Sequence, residues 1–364
     1  MVVQPASGIN VAGMVPETAS IGKDHAVTSM LPIAAEYPLW ADYAQLTAHL
    51  PPPVIRNPAQ PLVSIVVPSL NQGRYIGDTL RSILAQEYPN LEVWVIDGGS
   101  SDETPAVLRA FAGDARVQVV VGKDAGQADA INRGWARARG SVLAWLNSDD
   151  TYLPGAIASQ VAALQAHPAA VAVYADALYT DAAGQPLRTI AARPYHPLAL
   201  LRLLIPIQPT VFIRRAAVGL AGPLDLRMRY ALDTAYWVRL AQLGSFQPTS
   251  AVVATYRLHA ASKTVAQFAG FYREWLQIAE QTFTAMPELS PARREVLADI
   301  YAAMANLEAR NGSLRAALRY AAYTLTLAGW RPRLAKTPLM LLDRVLGSDL
   351  AERAGSWWGR QTRG

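Results

Sequence analysis

From Leu62 the chain repeats one pattern: a short β-branched apolar run, a polar cluster, then a segment with helical spacing. Val63-Ser64-Ile65-Val66-Val67-Pro68 is the first such run, ended by proline, and residues 75–86 place their apolar side chains at helical intervals. Residues 91–96 predict a second strand, followed by a helix over 104–112. Residues 117–121 predict a third strand with a helix through Ala138, and 141–146 a fourth. Strands alternating with helices of about a dozen residues predict an α/β fold with a doubly wound, mainly parallel sheet and helices on both faces.

Beyond this half the pattern loosens. Residues 151–175 read as an amphipathic helix followed by a strand; the window is uncharged, but Gln160, Gln165 and His167-Pro168 argue against a membrane span. Residues 171–174, 208–213 and 251–256 predict further strands. Residues 233–243 predict a helix whose Trp237, Leu240 and Ala241 face the core. From Val265 the chain turns helical over 265–283, 291–309 and 313–328. Asn311-Gly312 joins the last two in a hairpin with the small-residue spacing of a tetratricopeptide-like unit. Residues 1–60, rich in Pro, Ala, Ser and Gly and closed by Pro51-Pro52-Pro53, predict a loosely ordered arm, with a short docking helix over 37–50. The expected division is therefore an arm over 1–60, an α/β domain over 61–264 and a helical region over 265–364 with a basic tail.

Composition narrows the function classes. At 364 residues, 51% hydrophobic and 17% charged, the chain is globular and long enough for one large domain and a smaller one. It has no cysteine, which excludes disulfides, thiolate metal sites and cysteine nucleophiles. The net charge of +5 comes without a Lys/Arg stripe interleaved with aromatics, so no nucleic-acid partner is expected. The amino terminus lacks the basic segment and apolar run of a signal peptide, and a cytoplasmic location is expected. Residues 330–364 carry seven Lys/Arg against three acids, with Trp357-Trp358 among them. That tail suits peripheral contact with an anionic membrane face, at the inner side of the membrane, or else a helix whose solvated side carries the charges.

The candidate chemistry lies at the strand ends. The first four strands end in Ser69 and Asn71, in Asp97, in Asp124, and in Asn147-Ser148-Asp149-Asp150. Open α/β sheets bind ligands outside the carboxyl ends of their strands, and a structural cap explains one such cluster more readily than carboxylates at three. Asp149 and Asp150 suit Mg²⁺ or Mn²⁺, which take oxygen ligands from one or two carboxylates plus substrate phosphates. Alternatively they begin a helix, since Asp and Ser cap helices and Pro154 suits a first turn. No Gly-x-Gly-x-x-Gly and no Gly-x-x-x-x-Gly-Lys-[Ser/Thr] occurs, so a nucleotide must be held another way.

Four stretches carry a family resemblance: Ser64 to Asn71, Val95 to Asp102, Asp124-Ala125-Gly126-Gln127 through Asn132-Arg133-Gly134, and Leu146 to Asp150. In this order and spacing, over about residues 62–264, the chain resembles the inverting family 2 glycosyltransferases, which have the nucleotide-sugar-binding GT-A fold. The resemblance implies a metal-dependent transferase that moves a sugar from a nucleoside diphosphate donor, UDP-linked, to a hydroxyl of a glycan or lipid-linked glycan acceptor in polysaccharide biosynthesis. It assigns the nucleoside to Pro68, Ser69, Asn71 and Asp97, and the ribose or diphosphate edge to Asp124 and Gln127. The family's Asp-x-Asp element falls on Asn147-Ser148-Asp149, where the first carboxylate is an amide. Asp149 is then the expected metal ligand, with Asp150 supporting it or contacting the sugar. Asp233, at a helix start, aligns with the general base, and Leu232 replaces its partner acid; a capping carboxylate is the plainer role and is compatible with the first. His259 falls where similar enzymes place a histidine beside the metal or diphosphate, or is a structural hydrogen-bonding residue. Arg257 and Lys263 suit phosphate charge or a solvated turn, and Gln208-Pro209-Thr210 resembles an acceptor-side segment or opens a strand at a sheet edge. The missing acid at Asn147, the Leu232 replacement and the hairpin leave a second reading, a noncatalytic nucleotide-sugar-binding scaffold of a glycan assembly complex.

Overall fold

A computed structural model describes residues 57, 59–202, 206–259, 268–310 and 313–328. They fall into two compact units that divide in sequence between Ile278 and Ala279. The expected short helix over 37–50, the Asn311-Gly312 turn, Lys263 and the basic tail lie outside the described residues.

The larger unit is built on one sheet. Its strands are β1 (Val63–Ser69), β2 (Leu91–Asp97), β3 (Val117–Val121), β4 (Val142–Trp145), β5 (Thr151–Tyr152), β6 (Ala172–Thr180), β7 (Pro186–Ile190), β8 (Phe212–Arg214) and β9 (Phe246–Arg257). They run in the order β3-β2-β1-β4-β8-β6-β9-β5, with β7 hydrogen-bonded to β6. β1 lies between β2 and β4 and parallel to both, and all of it is buried. A central parallel strand is covered on both faces, which is why its sequence is apolar without alternation. β8 runs antiparallel to both β4 and β6 and so joins the parallel half to a mixed half. Helices α1 (Gly73–Leu84), α2 (Thr104–Arg109), α3 (Gln127–Trp135) and α4 (Ala156–Ala166) connect the strands. α5 (Pro197–Leu201), α6 (Arg215–Ala221), α7 (Leu232–Ala241) and the start of α8 (Phe268–Ala285) complete the unit. The core joins Ile65, Val67, Ile76, Leu80 and Val95 to Ile157, Val173 and Phe212.

One expected strand is corrected. Residues 208–213 begin as a 3₁₀ turn, Gln208–Thr210, and only Phe212–Arg214 is strand. Pro209 has no N–H to give to a ladder, and the Gln208 amide donates instead to the Trp145 carbonyl at 2.9 Å. β6 and β9 extend beyond their apolar cores, and β5, β7, α5 and α6 are too short or too polar to have announced themselves.

In the smaller unit α9 (Arg293–Arg310) and α10 (Leu314–Ala328) pair antiparallel, with the Arg294 guanidinium donating to the Leu327 carbonyl at 3.2 Å. Ala305, Ala317 and Ala321 fill the seam and let the backbones approach. No described helix is long and apolar enough to cross a membrane.

The Asn132-Arg133-Gly134 stretch is structural. The Asn132 amide donates to the Leu224 carbonyl at 2.9 Å and accepts from its N–H at 2.8 Å, tying α3 to the segment ahead of α7. A Cβ on Gly134 would lie 2.5 Å from Val66 Cγ1, on a fully buried residue of β1. Gly134→Ala should therefore destabilise the domain: overpacking of about 2–3 kcal/mol exceeds the roughly 1 kcal/mol that alanine gains as a helix former. Thermal denaturation should show a melting point a few degrees lower; an unchanged or raised value would contradict this packing.

Candidate active site

A cavity of about 350 Å³ opens at the carboxyl ends of β1, β4 and β9. Its wall brings together Pro68, Ser69, Asp124, Gln127, Asn147, Ser148, Asp149, Asp150, Gln208 and Asp233, residues from five separate stretches of sequence. Ser69 Oγ is buried there without a hydrogen-bond partner. Such a group is costly unless a ligand or water meets it.

Asn71 and Asp97 lie behind this wall. Asp97 is fully buried, and its carboxylate accepts from Ser100 Oγ at 2.5 Å and Ser100 N at 3.1 Å. Asn71 sits at φ +53°, a left-handed conformation that its short polar side chain tolerates. Its Oδ1 accepts from Ser101 N at 2.9 Å, and its own N–H donates to Ser100 Oγ at 2.7 Å. Asp102 accepts from the N–H groups of Gly73 and Thr104, at 3.0 and 2.9 Å. The Asp97–Thr104 segment is thus knitted to the loop after β1.

Beyond β4 the side chains form a network. Asn147 Oδ1 accepts from Gln127 Nε2 at 2.8 Å, and its Nδ2 donates to Gln208 Oε1 at 2.9 Å and to Asp150 Oδ2 at 3.3 Å. Asp150 is 2% exposed, and its other oxygen accepts from Arg257 N at 2.9 Å. Burial, and then the charge of Asp149, push its carboxyl well above the usual range, against the hydrogen bonds from Arg257 and Asn147. Asp149 points the other way, its Oδ2 2.9 Å from His259 Nε2.

His259 packs against an aromatic ring that sequence reasoning missed. The Tyr75 ring of α1 lies 4.8 Å from the imidazole, and the Arg257 guanidinium covers the same ring at 4.8 Å. Arg257 also donates to the Asp149 and Ala182 carbonyls, at 2.8 and 3.2 Å, so it is a buried tie rather than a solvated basic turn. Among the described residues no three His, Asp or Glu side chains gather into a metal cage. One carboxylate and one imidazole 2.9 Å apart nevertheless fit two neighbouring ligands of an octahedral cation. Ligands about 2.1 Å from such an ion are separated by about 3.0 Å along an octahedral edge, and phosphate oxygens and water commonly fill the remaining positions.

Asp233 stands in the first turn of α7, facing the same cavity, beside the buried Leu232. Burial pushes its carboxyl above the usual range, hydrogen bonds from Thr234 oppose this, and the charge of Glu274 adds to the rise. Glu274, on α8, is the second residue the sequence did not single out. Its carboxylate accepts three backbone N–H groups, from Arg229 at 2.8 Å, Tyr230 at 2.9 Å and Ala231 at 2.8 Å. Tyr230 and Tyr256 also line the cavity. A Cβ on Gly270 would lie 2.3 Å from the Tyr230 ring, so α8 packs closely against that ring.

Comparison with known proteins identifies the family and the fold. The model of the family "Glycosyl transferase family 2" matches residues 64–216. A PGL/p-HBAD biosynthesis glycosyltransferase of Mycobacterium bovis is 31% identical over 187 residues, covering 50% of this chain and 70% of that protein. An uncharacterized glycosyltransferase of Rickettsia prowazekii is 28% identical over 219 residues, covering 57% and 68%. Among solved structures, Staphylococcus aureus TarS (residues 1–349) in complex with UDP-GlcNAc superposes with a TM-score of 0.54 at 15% identity, over 78% of this chain and 86% of that one. The mannosyltransferase PcManGT from Pyrobaculum calidifontis, in complex with GDP-Man and Mn²⁺, gives 0.51 at 20% identity, over 86% and 92%.

Glu274→Ala should leave the three N–H groups ahead of α7 without their acceptor. Losing a charged cap of this kind costs about 1–2 kcal/mol. Denaturant unfolding should show that loss, and amide exchange should accelerate at Arg229, Tyr230 and Ala231 while β1 stays protected.

Proposed function

Since the chain belongs to the family 2 glycosyltransferases and is a glycosyltransferase with the GT-A fold, we propose that it moves a sugar from a UDP-linked donor to a hydroxyl of a glycan or lipid-linked acceptor, with inversion and with Mg²⁺ or Mn²⁺. One observation carries the reading: a single cavity holds Asp149, paired with His259, and also Asp233, desolvated at the head of α7. Pro68, Ser69 and the loop knitted by Asn71, Asp97 and Ser100 hold the nucleoside, with Asp124 and Gln127 at the ribose or diphosphate edge. The unpartnered Ser69 hydroxyl supports a polar ligand at that point. Ser148 and Asn147 line the floor, the amide of Asn147 lending no charge to the cation site. Asp149 and His259 would hold the cation, which when bound offsets the charge that develops on the departing diphosphate. Asp150 orients both by fixing the end of β4 against Arg257.

Asp233 accepts the proton of the acceptor hydroxyl as that oxygen attacks the anomeric carbon and the bond to the diphosphate oxygen breaks. A base must be ionised yet basic, and partial desolvation gives a carboxylate that character at neutral pH. Glu274 sharpens the effect, since its charge favours the protonated form of Asp233 without touching the acceptor.

Nucleoside diphosphate release from a panel of UDP- and GDP-linked sugars with Mn²⁺ or Mg²⁺ tests the reading. Asp149→Ala should lower kcat/KM by about 10²–10³-fold and abolish the response to metal. Asp233→Asn should lower kcat by about 10²–10⁴-fold. Release from no donor, with or without acceptor, would sink the proposal.

The raised pKa of Asp233 also has a thermodynamic sign. The folded state holds the proton more tightly than the unfolded chain, so the ionised carboxylate costs stability once pH exceeds the folded pKa. Asp233→Asn should therefore melt higher than wild type at neutral pH. That gain should vanish as pH falls below the ordinary aspartate range, where both states are protonated. In wild type, kcat/KM should fall with acid at a pH above the usual carboxylate range.

A further inference from the structure

Three side chains on neighbouring strands form a row that leads out of the cavity. Tyr256 of β9 lines it, Tyr179 of β6 is the register partner of Tyr256, and Arg188 of β7 is the register partner of Tyr179. Register partners present their side chains on the same face of a sheet. The two rings lie 5.3 Å apart, and Arg188 Cζ lies 5.1 Å from the Tyr179 ring. Both tyrosines are half-buried, whereas β7 is exposed from Pro186 to Thr189. Among the described residues no carboxylate pairs with Arg188, whose guanidinium rests on the ring alone.

Arg188 stands on the exposed β7 at the sheet's edge, and neither it nor Tyr179, on β6 between β7 and β9, belongs to the core that joins Ile65, Val173 and Phe212. Half-buried tyrosines offer an apolar face on which a sugar ring can stack. A guanidinium without a carboxylate partner offers a planar fork to phosphate or carboxylate. Resting on the glycosyl-transfer reading, we propose that Tyr256, Tyr179 and Arg188 form the acceptor subsite. It takes an acceptor whose sugar stacks on the tyrosines and whose negatively charged group reaches Arg188, two strand spacings or about 10 Å beyond Tyr256. That charge has two sources, a phosphate linking the acceptor sugar to its carrier or the carboxylate of an acidic sugar.

Calorimetric binding to the full chain tests this, with excess UDP, GDP and Mn²⁺ filling the donor side. Two sets of matched ligands separate the sources: monosaccharide 1-phosphates against their methyl glycosides, and disaccharides ending in a uronic acid against their neutral analogues. One anionic set should bind at least about tenfold tighter than its neutral counterpart, a preference that shrinks with salt. Arg188→Gln should erase the preference, and Tyr179→Ala should weaken neutral and anionic ligands alike while Tyr179→Phe retains the stacking. Preference in the phosphate set alone assigns a phosphate-linked acceptor, and in the uronic set alone an acidic glycan. Equal affinities in wild type, no binding of any ligand, or a preference that survives Arg188→Gln overturns the proposal. Failure of every donor to release nucleoside diphosphate would instead count against the transferase chemistry, and the binding comparison would still stand or fall separately.

Discussion

The buried carboxylate of Asp150 is the joint on which the rest of the site depends. β4 and β9 deliver the residues around the cavity, yet β8 and β6 lie between them in the sheet. What joins their ends is Asp150, with one oxygen on Asn147 and the other on the Arg257 N–H, together with the two-residue β5 that follows it. The Asp150 carbonyl also accepts the Thr79 hydroxyl at 2.7 Å, which brings α1 into the same knot. Leaving a buried polar group without its hydrogen-bond partner typically costs about 1–3 kcal/mol. The relative placement of Asp149, His259 and the cavity floor is therefore not free to drift.

The electrostatics follow from that joint. Asp124, Asp149, Asp150 and Asp233 share one cavity wall with Arg257, whose guanidinium is engaged by backbone carbonyls, Asp78 and the Tyr75 ring. Carboxylates therefore outnumber cationic side chains on that wall. At the opposite wall a second carboxylate, Glu274, acts through backbone alone, holding the approach to α7 by three N–H groups. Asp150 and Glu274 thus position the two sides through hydrogen bonds to backbone and amide groups.

The parallel half of the fold was legible because each of its strands is a β-branched run with a polar cluster at its carboxyl end. Ser69, Asp124, Asn147, Asp149 and Asp233 could be brought to one cavity from that rhythm and a family pattern together. The mixed half was less readable for definite reasons. β5 has two residues, residues 208–210 close into a turn around Pro209, and β6 and β9 carry polar residues at their ends. Glu274 looks like any helical surface glutamate until the fold sets it against residues 229–231. The Tyr256–Tyr179–Arg188 row exists only in the register of three strands, which no local pattern encodes. His259 was located by resemblance, but the ring of Tyr75 beneath it was not.

The amide at Asn147 couples two positions that lie 61 residues apart in the chain. Its Nδ2 faces two acceptors, Gln208 Oε1 and Asp150 Oδ2, while Gln208 spends its own Nε2 on the Trp145 carbonyl. A carboxylate at 147 would set an acid against both acceptors, and turning the Gln208 amide to serve it would abandon the Trp145 carbonyl. Positions 147 and 208 therefore act as one hydrogen-bonded unit, in which a change at either side chain leaves the other without this partner.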